Sequence, residues 1–159
     1  MAHGIYRSHV IGTLTGHAAP VLNYPEAASQ TFVEGDFVYL ASGYLTVCGS
    51  DPTVILGMAL EPAHNTTAGL YTIGVALALE ITLFGMSVRH TTAGNAVIEA
   101  ADMGKLYDIL ASSAGHWTVD KDASTTTSRV KVLKFVEALG TLYGLVACTV
   151  VAANRQVGV

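Results

Sequence analysis

Between Tyr71 and Leu83 every odd position is bulky and apolar: Tyr71, Ile73, Val75, Leu77, Leu79, Ile81 and Leu83. Every even position between them is small or polar: Thr72, Gly74, Ala76, Ala78, Glu80 and Thr82. A strand points successive side chains to opposite faces, so this spacing makes one continuous apolar stripe. A helix would scatter the same residues around its circumference. At roughly 3.3 Å per residue the stretch would span on the order of 40 Å, longer than most strands. It is therefore expected to bend near Ala78-Leu79-Glu80 and to serve two parts of a curved sheet.

The rest of the chain must cover that stripe. With 159 residues it is one domain, long enough to bury a core without staples. Charged residues are only 13% of the sequence, about half the usual fraction, and the mean hydropathy is +0.46. Such a chain is not disordered. Much of its surface is expected to lie against a membrane or against other protein. Leu70 to Val88 is long enough to span a bilayer, but Glu80 at its centre, the alternation and the absence of flanking basic clusters argue against a membrane. The eight Lys and Arg are scattered and the net charge is −4, which leaves no basic footprint for nucleic acid. The first residues, Met1 to Arg7, lack a basic region followed by a sustained apolar core, so no secretory signal is read and synthesis in a cytoplasm is expected. Cys48 and Cys148 sit in apolar strand-like runs and are expected reduced and buried.

Residues 1–29 carry apolar side chains without a steady period, punctuated by Gly4, Gly12, Gly16, Pro20 and Pro25, with Arg7 and Glu26 as their only fixed charges. Too apolar for a solvated tail and too irregular for a core, they read as an extended N-terminal arm lying on the chain's own barrel or on a neighbouring subunit. The domain proper is read as 30–156. Thr31 to Leu40 is a strand broken at Gly35-Asp36, turned by Ala41-Ser42-Gly43 into Tyr44 to Cys48. Val54 to Leu60, apolar on both faces, is an interior strand. Further strands are Leu106–Leu110, His116–Val119, Arg129–Val136 with a phase change at Leu133 that marks a bulge, and Leu145–Ala152. A helical turn fits only within Ala96 to Leu110. Short strands with Gly and Pro turns predict an all-β fold, a small β-barrel or sandwich.

No catalytic constellation is present: no phosphate loop, dinucleotide fingerprint, nucleophile elbow or His-Glu-x-x-His. The chain is read as not an enzyme, with no cofactor and no metal. Glu61 and His64 flank Pro62, which places them on a loop rather than a helix face, and His3, His9 and His17 share no spacing suited to a metal. Asp120-Lys121-Asp122 lacks the Gly and terminal Glu of a calcium loop and reads as a solvated turn. Asn65-Thr66-Thr67 matches a glycosylation sequon without a signal to use it. Trp117, the one tryptophan, reads as core; a sugar-stacking role would require it exposed.

A series of short blocks runs through residues 30–156. They are Glu34-Gly35-Asp36-Phe37-Val38, Ile55-Leu56-Gly57-Met58-Ala59, the alternating ribbon, and Asp102-Met103-Gly104-Lys105-Leu106-Tyr107. Gly115-His116-Trp117-Thr118-Val119-Asp120, Arg129-Val130-Lys131-Val132 and Val151-Ala152-Ala153-Asn154-Arg155-Gln156 follow. Their order resembles that of tailed-bacteriophage capsid decoration proteins, the cement or head-stabilising proteins. The resemblance implies a β-barrel or tulip-like domain with an extending arm, on the outside of the virion. It also implies a homotrimer at three-fold or quasi-three-fold points that ties major capsid protein subunits together. The low charge agrees with such an interface-rich role. The apolar residues of the arm, Ile5, Tyr6, Val10, Ile11, Leu14, Val21, Leu22 and Tyr24, are then the candidate partner contacts. The competing expectation is a small barrel that binds a carbohydrate or other small ligand on Trp117 and tyrosines.

Overall fold

The alternating ribbon breaks where its bulky residues give way to Ala78 and Glu80. In the structure, a computed structural model that describes residues 4–122 and 128–156, strand β6 (Thr72–Leu77) ends there and β7 (Thr82–Arg89) begins after a short turn. The turn is closed by Leu79 N–H to the Leu77 carbonyl and Thr82 N–H to the Leu79 carbonyl. The two halves belong to different sheets. The expected bend is thus a crossover between layers.

The other strands are β1 (His9–Thr13), β2 (Val21–Pro25), β3 (Phe37–Ala41), β4 (Tyr44–Val47), β5 (Gly57–Ala59), β8 (Leu106–Ser113), β9 (His116–Asp120), β10 (Val130–Phe135) and β11 (Leu145–Val150). One sheet runs β1-β7-β11-β10-β8-β9 and the other β2-β6-β5-β3-β4. The first closes on itself, because the C-terminal half of β7 also pairs in parallel with β9, Ser87 opposite Thr118 and Arg89 opposite Asp120. β7, β11, β10, β8 and β9 therefore form a hydrogen-bonded ring, and β1 fills the place beside the N-terminal half of β7. The second sheet curls towards closure through a bridge between Glu26 and Leu45. The architecture is all-β, two curved sheets packed as a sandwich, and the larger is a small barrel.

Period two places the cores. Phe84, Met86 and Val88 of β7, Val146, Cys148 and Val150 of β11, Tyr107 and Ile109 of β8, and Trp117 and Val119 of β9 belong to one buried cluster. Val38, Leu45, Leu56, Ala59, Ile73, Val75 and Leu77 form a second. β3 is the shared wall: Phe37 and Tyr39 pack into the first cluster, Val38 and Leu40 into the second. Phe37 meets Phe84 and Trp117 edge-on at 5.2 and 5.3 Å between ring centroids, the arrangement aromatic quadrupoles favour. Ile55 and Met58 face the first cluster, Leu56 and Ala59 the second, which is why Val54 to Leu60 reads as apolar on both faces.

Three expectations are adjusted. Only Gly57–Ala59 of the Val54–Leu60 run is strand; Ile55 instead bridges to Arg155 near the C-terminal end. Thr31 to Val33 is not strand, because Asp36 Oδ2 takes the Val33 N–H at 2.9 Å and bends the chain before β3. The described part of the 1–29 segment, residues 4–29, is extended, but as β1, a link and β2, one strand for each sheet of their own domain. Glu26 N–H bonds the Tyr71 carbonyl and Ala27 N–H the Leu45 carbonyl, so the chain shows no break at residue 30. The phase change at Leu133 is a register shift between Val132 and Lys134 against β11. The Ala96–Leu110 stretch holds a single 3-10 turn at Ala100–Asp102 before β8 begins, and another precedes it at Ala93–Asn95. His3 and residues 123–127 of the Asp120–Ser128 loop lie outside the described residues.

Candidate interaction surface

The N-terminal strands sit at sheet margins, so half of their apolar residues turn inward and half outward. Val10 packs on the first core and Tyr24 on the second. Ile5 and Tyr6 are half-buried. The Tyr6 backbone N–H bonds Ser87 Oγ and its hydroxyl donates to Glu137 Oε1, both at 2.9 Å. These four residues hold the segment to its own domain. Ile11, Leu14, Val21 and Leu22 are exposed, by 39%, 54%, 47% and 53%.

Val10, Ile11 and Val21 converge on one groove of about 290 Å³, completed by Gly12, Ala18, Ala19, Leu60 and Ala76. Among the described residues no charged side chain lines it. Leu14 lies round the corner, its N–H on the Ile81 carbonyl at 2.8 Å. Leu60 and Ile81 enlarge the exposed apolar set. The sequence hid them, since both fall in runs that otherwise read as buried stripe. Along the chain no charged residue occurs between Arg7 and Glu26, and Glu26 is buried. The uncharged groove around Ile11 and Val21 is an apolar surface of the kind that marks a contact site, whereas Leu14 lies beside Glu80, Lys131 and Arg155.

The strand edges themselves offer little to an added strand. Thr13 N–H bonds the His17 carbonyl, and Thr13 Oγ1 bonds His17 as well, so a tight turn folds over the end of β1. Pro20 and Pro25 bracket β2 and have no N–H to donate. Contact on this face therefore has to come from side chains.

The short blocks quoted from the sequence meet at two buried polar joints. At the first, Asp36 Oδ1 accepts the Trp117 indole N–H at 3.0 Å and the Gly115 N–H at 2.7 Å. Ser8 Oγ donates to the Gly35 carbonyl at 2.7 Å and accepts the Trp117 N–H at 3.2 Å. Gly35 has φ +91°, and a Cβ there would stand 2.4 Å from the Ser8 carbonyl oxygen, so only glycine fits. At the second, Lys121 Nζ donates to Val97 O, Glu99 Oε2 and Asp102 Oδ2 at 2.8, 2.8 and 3.1 Å, and the Tyr107 hydroxyl donates to Asp102 Oδ1. Burial alone would raise the Asp102 pKa, but the Tyr107 hydroxyl, the Glu99 N–H and Lys121 outweigh it and hold the carboxyl below its ordinary value. Burial and the Asp102 charge push Tyr107 the other way. These joints fix the Gly-Asp, Lys-x-Tyr and Gly-His-Trp blocks as architecture.

The remaining sequence candidates separate. Trp117 is fully buried, so it offers no platform to a sugar. Glu61 accepts the Gly74 N–H, whereas His64 turns to Glu26, its Nδ1 3.1 Å from Oε2, and stacks on Tyr71 at 4.1 Å. His9 lies over Gly85, where a Cβ would meet its ring at 2.8 Å, and His17 is exposed in the β1–β2 link. Asp120 and Asp122 pair with Arg89 and His90. Among the described residues no three His, Cys, Asp or Glu come together as metal ligands, and no helix is long and apolar enough to cross a membrane. Asn65 is exposed with φ +55°. Cys48 and Cys148 are free and buried, and desolvation pushes both thiols up. The sequence matches no protein-family model and no curated protein.

Proposed function

We propose that this chain is a structural decoration protein of a phage head, binding the capsid exterior through the exposed apolar side chains Ile11, Leu14, Val21 and Leu22. The exposure of these four apolar side chains is the observation that carries the reading. The blocks that resemble cement proteins support it, since they serve two buried joints of a rigid all-β scaffold. The partner is the major capsid protein, and a homotrimer would multiply modest contacts through avidity. No enzymatic step is assigned.

Removing residues 1–29 is not a clean test, because it strips β1 and β2 from the two sheets. Point substitutions on exposed positions leave the sheets intact. The test is co-sedimentation of the purified chain with phage heads that lack it. Saturable occupancy supports the proposal, and a folded chain that stays in the supernatant at every ratio contradicts it.

A further inference from the structure

A second, unrelated site is built beside β3, and we propose that it binds a neutral, hydroxyl-rich small molecule of the size of a mono- or disaccharide. The cleft there measures about 450 Å³, within the range of small-ligand pockets. Tyr39 and Leu40 form one wall, the turn from Gly49 to Val54 the other, and Gln156 the end.

The walls are fixed in advance. Asp51 N–H bonds the Ile109 carbonyl at 3.0 Å, and Asn154 Nδ2 donates to the Thr53 carbonyl at 2.8 Å. The Gln156 amide bonds both the N–H and the carbonyl of Leu40, at 2.6 and 2.8 Å. An irregular turn with Asp51 at φ +52° is thus tied to β8 and to the C-terminal segment, although Gly49, Ser50 and Thr53 stay exposed.

The chemistry of the lining selects the ligand. Asp51 Oδ1 and Arg129 Nε stand 3.0 Å apart, both closed to solvent, yet neither makes an aligned hydrogen bond. Arg129 is buried, at 9% exposed, while the Asp51 side chain is 41% exposed, so the pair carries a carboxylate from the interior to the cleft wall. Among the described residues the Tyr39 and Thr53 hydroxyls have no hydrogen-bond partner, and no Lys or Arg lines the cleft. With no Lys or Arg in the lining a phosphate or carboxylate finds no cationic partner there, and a carboxylate beside free hydroxyls suits groups that both donate and accept. Sugar hydroxyls do both, and the half-buried Tyr39 ring supplies an apolar face.

Amide-resolved NMR titration of the full chain with glucose, galactose, N-acetylglucosamine and maltose tests this, with inorganic phosphate as the contrasting probe. At least one sugar should shift the amides of residues 39–40 and 49–54 saturably, while phosphate leaves them unmoved. Tyr39→Phe keeps the ring and should weaken binding several-fold. Asp51→Asn should weaken it on the order of tenfold or more. If no sugar moves these amides, if phosphate moves them instead, or if Tyr39→Phe binds like the parent, the assignment is overturned. Should Asp51→Asn fail to fold, Tyr39→Phe alone decides.

Discussion

The Asp36 carboxylate and the Trp117 indole meet at 3.0 Å across 81 residues of chain. The bond joins the entry of β3 in one sheet to β9 in the other, and the same carboxylate also holds the Gly115 and Val33 N–H groups. Asp36→Ala would leave three donors unpaired at a buried joint, each worth about 1–3 kcal/mol, so a loss of roughly 3 kcal/mol or more is expected. Urea denaturation followed by the fluorescence of Trp117, the one tryptophan, reads it directly. A loss under about 1 kcal/mol would mean that the joint does not bind the sheets together.

Gly57 has an ordinary backbone but no room. A Cβ there would lie 2.1 Å from the Ala76 carbonyl oxygen in the paired strand. Gly57→Ala should cost about 3 kcal/mol, because backbone has to move. Gly94, with nothing near its Cβ position, should accept alanine within about 0.5 kcal/mol. Thermal melts of the two variants provide the comparison.

Asp102 gives stability a pH dependence of known sign. Its folded pKa is depressed, so its contribution is complete above the unfolded value of about 3.9 and is lost as pH falls through the folded one. Tyr107→Phe removes one of the groups that depress it and should cost about 2 kcal/mol at neutral pH. The gap between variant and parent should narrow as pH drops below about 4. Urea midpoints at neutral and acid pH measure both, and a gap that widens in acid would contradict the sign.

Both thiols are buried and pushed up, so neither offers a thiolate to reagents at mild alkaline pH. A thiol-specific chromophoric reagent should find no reactive cysteine in the native protein and both in denaturant. Rapid native labelling of either would show that its core opens locally.

Much of this architecture is legible locally. The ribbon's period and its break at Ala78 to Glu80, the hairpin turn at Ser42-Gly43 and the bulge after Val132 each follow from neighbouring residues. β1 and β2 were obscured because the bulge between Val10 and Gly12 interrupts one period, and Pro20 and Pro25 frame the other in turn-like residues. The parallel β7–β9 pairing that closes the barrel joins residues 31 positions apart, Ser87 to Thr118, which no local pattern encodes. The buried roles of Asp36 and Asp102 are hidden for the same reason, since their partners become neighbours only in the fold. Of the candidate contacts, the apolar character was legible. Which four residues face outward was not, because exposure depends on the sheets that β1 and β2 join.

The central claim is that the outward residues of β1, its link and β2 attach this chain to a capsid. The most direct measurement is occupancy on heads lacking the protein, comparing the parent chain with Leu14→Asp and Leu22→Asp. Both positions are more than half exposed, at 54% and 53%, so the variants should keep parental melting behaviour. The account predicts saturable binding by the parent and loss of most occupancy in both variants. Folded variants that decorate heads as fully as the parent, or a parent that never binds, would contradict it.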